Sequence, residues 1–186
     1  MKYKSINPRF IVIFSVILVA ALLRLLPHWP NFTPIAAMAL FAGTYFDRKQ
    51  YAFAIPIAAM FISDLVLGLH ANMPAVYFSF AITVLIGMTI RNKVNVGSVV
   101  LAAFSSSVIF FVITNFSSWV ASPYYPQTFA GLTECYIAGL MFFRDATNGL
   151  SFFLNDLLGT TFFSAVFYGS FYLVQMRFPV LDRSRF

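Results

Sequence analysis

The sequence predicts an all-α integral membrane protein, with six transmembrane helices in one bundle and a short interfacial or re-entrant helix in the long fifth loop. Three observations predict this class: 60% of the 186 residues are hydrophobic, only 10% are charged, and apolar runs recur along the whole chain. Soluble domains carry roughly 25% charged residues. A bilayer therefore explains these runs better than a soluble core, and residues 1–186 are expected to form a single membrane domain.

The first predicted span covers about residues 10–26 and follows the basic segment MKYKSINPR. Such a start also occurs in secretory signal peptides. No A-x-A-like cleavage site follows this run, and RLLPHWP stands there instead. We therefore expect a retained first helix.

Five further spans are predicted from apolar runs joined by short polar connections. Several are shorter than the ~20 residues that cross a bilayer, so loops must dip inward or helices must extend beyond these bounds. The predicted ranges are about 33–46, 51–69, 75–90, 98–120 and 150–174.

The long loop, residues 121–149, contains the stretch TFAGLTECYIAGLMFF. At about 15 residues this stretch is too short to span easily, which predicts an interfacial or re-entrant helix. Its large apolar residues recur at helical spacing on one stripe. They are Phe129, Leu132, Tyr136, Ile137, Leu140 and Met141.

The distribution of basic residues predicts that both chain ends are cytoplasmic. With this orientation, all of the 12 Lys and Arg residues except Arg24 and Arg144 fall on the inner side. Cytoplasmic loops carry such an excess of positive charge. The inner residues are Lys2, Lys4, Arg9, Arg48, Lys49, Arg91, Lys93, Arg177, Arg183 and Arg185.

Two acidic residues lie within predicted spans, toward their outer ends. Asp64 is about five residues from the outer end of the third span, and Asp156 occupies the outer third of the sixth. An ionisable group at membrane depth is expected to face the bundle interior, to have a partner and to serve a function. The alternatives are a structural tie for Asp64, and helix capping or pairing with Arg144 for Asp156.

The segment PHWPNFTP joins the first two spans and concentrates polar and aromatic groups between prolines. The prolines keep the backbone extended, so that His28 is presented rigidly as a candidate ligand-binding residue or metal ligand. Trp29 is expected to anchor the loop at the membrane surface. Asn31 and Thr33 are expected to cap the second span.

The other outer loops supply further candidates for ligand binding. His70, Asn72 and Met73 lie in GLHANMP, where His and Met could contact a soft or borderline metal. Tyr77 begins the fourth span, and Tyr125 could stack on a planar ligand. Both tyrosines are also ordinary interfacial residues.

Several functional classes lack their signatures. The sequence contains no Gly-rich phosphate loop, no H-E-x-x-H, no G-x-S-x-G and no DNA-reading pattern. No intrinsic cofactor and no nucleic-acid partner are therefore predicted. The lone cysteine, Cys135, excludes an intramolecular disulfide, and it is either a buried small side chain or a reactive group.

Three stretches carry a family resemblance: LRLLPHWPNFTPIAAMALFAGTYF, PIAAMFISDLVLGL and YPQTFAGLTECYIAGLMFFRDATNGLSFFLNDLLGTTFF. They resemble a family of small bacterial membrane proteins that is similar to the S-components of energy-coupling-factor vitamin transporters, nearest the solitary cobalamin S-component. The resemblance covers about residues 20–170. It implies a bacterial cytoplasmic membrane location, an energy-coupling module as partner, and a vitamin pocket lined by the first, third and fifth loops.

Within that resemblance, His28 and Asp64 match the family's His and Asp. The cobalamin protein is expected to ligate cobalt through a Cys in the loop that corresponds to residues 69–76, where this chain has His70 and Met73 instead. His28 or His70 would then meet the cobalt of a bound corrinoid. The A-x-x-x-A docking patch expected on the first helix is missing, and Ala54 with Ala58 gives that spacing in the third span.

Three functions remain as hypotheses. The first is a substrate-binding component for uptake of a vitamin-like molecule, with cobalamin as the specific candidate. The second is a membrane-embedded enzyme that uses His28 with Asp64, or Cys135. The third is a structural subunit of a larger membrane complex. A small molecule that copurifies with the protein separates the first hypothesis from the third.

Overall fold

The computed structural model describes residues 7–141 and 149–181, and within them the protein is all-α with seven helices. Each of the six predicted spans corresponds to one helix with bounds within three residues, and the seventh helix lies in the long loop. The helices are α1 (Pro8–Leu23), α2 (Ile35–Tyr45), α3 (Lys49–Leu67), α4 (Met73–Thr89), α5 (Val96–Ala121), α6 (Phe129–Met141) and α7 (Phe152–Arg177), followed by a 3-10 turn (Pro179–Leu181).

Polar residues at the helix ends explain where several helices begin. Asn95 and Ser98 form a reciprocal capping box at the start of α5. The Ser151 side chain accepts a hydrogen bond from the Leu154 N–H and begins α7. At the end of α3, Gly68 adopts a φ of 105°, a conformation that glycine reaches without strain.

In the part of the chain that the structure describes, three helices, α3, α5 and α7, are long and apolar enough to cross a membrane. Large apolar side chains point outward from these helices: Val66 is 70% exposed, and Leu101 and Leu173 are each 65% exposed. An outward apolar surface of this kind is typical of contact with lipid, so the structure indicates a membrane protein. The shorter apolar helices are α1, α2, α4 and α6.

The short helix α2 forms the centre of the bundle, and all of its 11 residues are buried. It packs against α1, α3, α4, α5 and α7. Small residues permit close backbone contact with α4: a Cβ atom on Gly43 would overlap the carbonyl of Val84, and one on Gly87 would overlap that of Leu40. Larger side chains at these two positions would separate the helices.

Two arginines close the C-terminal end of α2. Arg91 donates from Nε to the carbonyl of Gly43 at 2.7 Å and from Nη2 to that of Phe46 at 2.8 Å. Arg9 donates to the carbonyl of Tyr45 at 3.4 Å. These guanidinium groups satisfy carbonyls that a helix end leaves without intrahelical partners, and their charge suits the negative end of the helix dipole.

The first and last described segments meet at this same end, which we call the arginine end. Arg9 at the start of α1 donates to the carbonyl of Leu181 at 2.7 Å, and the 3-10 turn packs against α1 and α7. An even number of membrane crossings between these two segments would produce this arrangement. Some of the basic residues from which the membrane orientation is predicted lie outside the described residues: Lys2, Lys4, Arg144, Arg183 and Arg185.

Helix α6 packs against α5 and α7 through its small residues. Gly131, Cys135 and Gly139 are its buried residues, spaced four apart. The predicted stripe of large apolar residues points mostly away from the bundle: Phe129 is 84% exposed and Met141 is 57% exposed. The large side chains on α6 therefore do not mark the face that packs against protein.

Candidate ligand cavity

A cavity of about 600 Å³ opens at the end of the bundle that lies opposite the arginine end. Three parts of the chain line it: the α1–α2 connection, the α3–α4 connection, and the segment formed by the α5–α6 connection and α6. Side chains of α4, α5 and α7 form the remaining walls. Its lining residues include Arg24, His28, Asn31, Thr33, His70, Asn72, Asn115, Tyr125 and Cys135 among the polar ones, and Ile35, Phe80, Phe110 and Phe152 among the apolar ones.

The cavity exists because α2 is short. Its 11 residues extend about 16 Å, whereas the 26 residues of α5 and of α7 extend about 39 Å each. The chain enters α2 deep between its neighbours, and the space above that entry stays open. Thr33 and Ile35, at the start of α2, line the cavity.

His28 stands on the exposed rim of this cavity. Its Nδ1 lies 2.6 Å from the carbonyl oxygen of Leu26. Because a carbonyl only accepts hydrogen bonds, Nδ1 carries the proton, and Nε2 of the neutral ring keeps a lone pair for a ligand. Trp29 does not line the cavity; its ring is 43% exposed and meets Phe32 edge-on at 6.0 Å.

Asn31 has a positive φ of 63°, a conformation that Asn tolerates better than most residues. Its Nδ2 donates to the carbonyl of Phe152 at 3.3 Å and so ties the first connection to α7. The prediction that Asn31 and Thr33 cap the second span is wrong: Pro34 is the N-cap of α2, and none of the described side chains caps this end. The left-handed turn directs the Asn31 amide toward α7 instead.

Asp64 is 1% exposed and does not line the cavity; it pairs with Arg24, which does. Arg24 Nη2 lies 2.5 Å from Asp64 Oδ1, and the Tyr77 hydroxyl donates to Asp64 Oδ2 at 2.6 Å. The expected inward direction and partner of Asp64 are confirmed. Asp64 therefore positions Arg24, the cavity residue, and holds Tyr77 away from the cavity wall.

The α3–α4 connection contributes His70 and Asn72 to the cavity wall, but Met73 is not among the lining residues. Asn72 Nδ2 donates to Ser118 Oγ at 2.7 Å, and Asn72 Oδ1 accepts from Ser117 Oγ at 2.7 Å. This amide therefore fixes the start of α4 against the end of α5. His70 is exposed and lines the cavity, and its imidazole makes no hydrogen bond to any residue that the structure describes.

Aromatic rings form the deep wall of the cavity. Phe80 of α4 and Phe110 of α5 stack with centroids 5.6 Å apart, and Phe152 closes the side at α7. Stacked rings favour a flat apolar group of a ligand. The cavity thus combines a polar rim with an aromatic interior.

Tyr125 and Cys135 line the side formed by the long loop. Burial, followed by the proximity of Cys135 and Glu134, raises the pKa of the Tyr125 phenol. Burial also raises the pKa of the Cys135 thiol, whose Sγ donates to the carbonyl of Asn115 at 3.4 Å. A buried protonated thiol is a poor nucleophile, so Cys135 fits a structural role.

Neither Asn155 nor Asp156 reaches the cavity. Asn155 Nδ2 donates to the carbonyl of Pro30 at 2.9 Å, and its Oδ1 accepts from the Leu150 N–H at 3.0 Å, so this amide supports the first connection from below. Asp156 is 5% exposed and faces α5, one turn deeper than Phe152. Its suggested partner Arg144 lies outside the described residues.

Several lining residues escaped prediction from sequence. Arg24 carried a signal, since it was one of only two basic residues assigned to the outer side. Phe80, Phe110 and Asn115 carried none, because each is one more residue within a long apolar helix. Within the described residues, no cluster of three or more His, Cys, Asp and Glu could hold a metal ion.

Comparisons with known proteins identify a family without a known activity. A search of curated proteins finds no match, and a search of solved structures finds none either. A family model matches residues 4–181, which is nearly the whole chain. The protein is therefore a member of a family of unknown function, DUF6580.

Proposed function

We propose that this protein is the substrate-binding component of an uptake system for a small vitamin-like molecule. The observation that carries the proposal is the 600 Å³ cavity, open at one end of the bundle, with a polar rim and an aromatic interior. Its volume falls in the range of about 300–1,000 Å³ that small-molecule sites occupy. The resemblance of three sequence stretches to the S-components of vitamin transporters supports the same proposal.

The cavity chemistry favours a ligand with a flat apolar part and at least one anionic or acceptor group. The rings of Phe80, Phe110 and Phe152 would hold the flat part. The Arg24 guanidinium and the uncapped N-terminal end of α2 would attract the acceptor group, since both carry positive charge. A carboxylated or phosphorylated heterocycle has this combination.

Cobalamin is the specific candidate, and its binding would also require a protein ligand for the cobalt. His28 or His70 would bind the cobalt through a neutral imidazole, and Nε2 of His28 has the lone pair for this bond. A visible spectrum of the purified protein would show corrinoid bands. A colourless preparation that retains another small molecule would support the uptake function and exclude cobalamin as its ligand.

In the membrane arrangement that we propose, α1–α5 and α7 cross the bacterial cytoplasmic membrane, α6 lies at the outer interface, and both termini are cytoplasmic. The cavity then opens to the outside. Cysteine labelling tests this in a Cys135→Ala background: an impermeant reagent applied outside should label a cysteine at position 28 and not one at position 48. The reverse labelling pattern contradicts the orientation. An energy-coupling module would supply the work of transport.

The proposed function is tested by extracting small molecules from protein purified in detergent and identifying them by mass spectrometry. Ala138→Phe fills the cavity and should reduce the bound molecule at least tenfold. The matched control is Leu140→Phe on the same helix, where the side chain is 44% exposed. Equal ligand content in wild type and both variants contradicts a binding role for the cavity.

The two alternatives give different results in the same preparation. A membrane enzyme converts the extracted molecule and loses turnover when His28, Asp64 or Cys135 is replaced. A structural subunit retains a protein partner and no small molecule. The engagement of Asp64 by Arg24 and Tyr77 and the buried thiol of Cys135 favour binding over catalysis.

A further inference from the structure

A row of buried oxygen atoms lies along the facing sides of α5 and α7, deeper in the bundle than the cavity. The residues involved are each at most 5% exposed. Within the part of the chain that the structure describes, these oxygens have no hydrogen-bond partner. They are Oγ of Ser106, Oγ of Ser107, Oδ2 of Asp156, Oγ1 of Thr160 and Oγ of Ser164.

The antiparallel packing of the two helices brings part of this row together. The rings of Phe111 and Phe153 are 5.1 Å apart on the cavity side. Toward the arginine end, Ala103 and Ser164 line a common groove. Ser107 therefore lies between these two levels, and its hydroxyl lies beside the carboxyl of Asp156.

Thr160 belongs to the same group, because residues four apart share one face of a helix. It follows Asp156 by one turn, a rise of about 6 Å along the helix axis. Both side chains are buried on the inner face of α7. Because the Ser107 hydroxyl lies beside the Asp156 carboxyl, the two helices bring one carboxyl and two hydroxyls to neighbouring positions at this level of the bundle.

Other helical hydroxyls in this protein bond to the carbonyl four residues earlier. Ser79 donates to Ala75 at 2.7 Å, Thr83 to Ser79 at 3.0 Å and Thr114 to Phe110 at 2.7 Å. This bond is the usual solution for a buried hydroxyl within an apolar helix. The hydroxyls of Ser107 and Thr160 do not use it, so they remain available as ligands.

Among the described residues, the two buried carboxyls have different surroundings. Asp64 pairs with Arg24, whereas Asp156 makes no ion pair with any of the described residues. A buried carboxylate without a counter-charge is strongly unfavourable at membrane depth. Water could satisfy the hydroxyls, but the carboxylate needs either a proton or a bound cation, and a cation would also use the unpartnered hydroxyl oxygens beside it.

We infer that Asp156, Ser107 and Thr160 form a binding site for a small monovalent cation of the sodium type. The carboxylate supplies the compensating charge, and the hydroxyls supply further oxygens of the hard type that such cations prefer. Water would complete the coordination shell. The site lies one turn below Phe152 of the ligand cavity and is a separate site from it.

The test is the thermal stability of the purified protein in sodium chloride and in choline chloride at equal ionic strength. With Na⁺ at about ten times its dissociation constant, the melting temperature should rise by about 4 °C over choline. Asp156→Asn and Thr160→Val, which keep the side-chain shape, should each abolish or reduce this shift. Ser107→Ala should reduce it as well.

The matched control is Thr83→Val, which removes a buried hydroxyl that already has a carbonyl partner. It should lower stability equally in both salts and leave the sodium shift intact. Equal melting temperatures of the wild type in sodium and in choline overturn the inference. A full sodium shift in Asp156→Asn overturns it as well, because the carboxylate would then play no part.

Discussion

The two ends of α2 differ in how their backbone groups are satisfied, although both lie inside the bundle. At the arginine end, Arg9 and Arg91 occupy the carbonyls of Gly43, Tyr45 and Phe46. At the cavity end, Pro34 begins the helix and no side chain caps it. One end is closed by long cationic side chains, and the other faces open space.

This difference indicates that one end of α2 contributes mainly to stability and the other end mainly to ligand binding. Carbonyls that are buried and bonded to guanidinium groups hold the helices together, because each would lose a partner on separation. A helix start beside an open cavity contributes less to cohesion and keeps its positive end available for a ligand. Substitutions at the two ends should therefore affect different measurements.

Arg91→Met should have the largest effect on stability. It removes the partners of two buried carbonyls at the arginine end, which we expect to lower the free energy of unfolding by about 3 kcal/mol. Thermal unfolding in detergent measures this loss. Arg48→Met removes an exposed arginine from the same end and should change stability by less than about 0.5 kcal/mol. Equal effects of the two substitutions would contradict the proposed closure of α2.

Asp64→Asn should have the next largest effect, at the cavity end. It leaves Arg24 without its counter-charge, and we expect a loss of about 2 kcal/mol, because Arg24 keeps its hydrogen bonds to Ser63 and Met60. The guanidinium without its carboxylate should also change ligand affinity, since Arg24 lines the cavity. Tyr77→Phe is a milder variant that removes only one hydrogen bond to Asp64. If Asp64→Asn raises stability and leaves binding unchanged, the pair has no role in the site.

The histidines of the rim should affect binding without affecting stability. If the ligand is a corrinoid, removing the imidazole that binds cobalt should lower its affinity at least tenfold, because the bond to the metal is lost. His28→Ala and His70→Ala, each titrated with a corrinoid, identify the ring responsible. An unchanged affinity in both variants would exclude cobalt ligation by either histidine.

Asn31 should show the smallest effect. Asn31→Ala places an ordinary residue at a φ of 63° and removes the bond to the Phe152 carbonyl, so a loss of about 1 kcal/mol is expected. Asn31→Gly loses the same bond without backbone strain and should be less destabilising. A larger loss for Gly than for Ala would show that strain at this position does not matter.

The positions of the helices could be predicted from the sequence, but their packing faces could not. Apolar runs and polar breaks marked every helix within three residues. In a membrane protein, lipid and neighbouring helices are both apolar environments, so hydrophobicity does not distinguish the buried face from the outer one. The stripe on α6 shows this: Phe129 and Met141 point outward, and Gly131 and Gly139 are buried.

The candidate site was predicted where polar residues stand out from the sequence. His28, Asn31, His70, Asn72 and Tyr125 line the cavity, and all of them lie in connections. The aromatic interior was missed because rings are common throughout these helices. The pairing of Asp64 with Arg24 could not be predicted from the sequence, because Asp64 lies in α3 and Arg24 directly follows α1.

The enclosure of α2 has a consequence for how the protein is made. An 11-residue segment is too short to be integrated into a bilayer by its own hydrophobicity, so in the membrane arrangement that we propose α2 enters the membrane together with α1 or α3. Among the helices that pack against α2, α7 leaves the ribosome after the others. We therefore expect chains halted before α7 to leave α2 exposed to quality-control proteases, which pulse-chase measurements of stalled chains would detect.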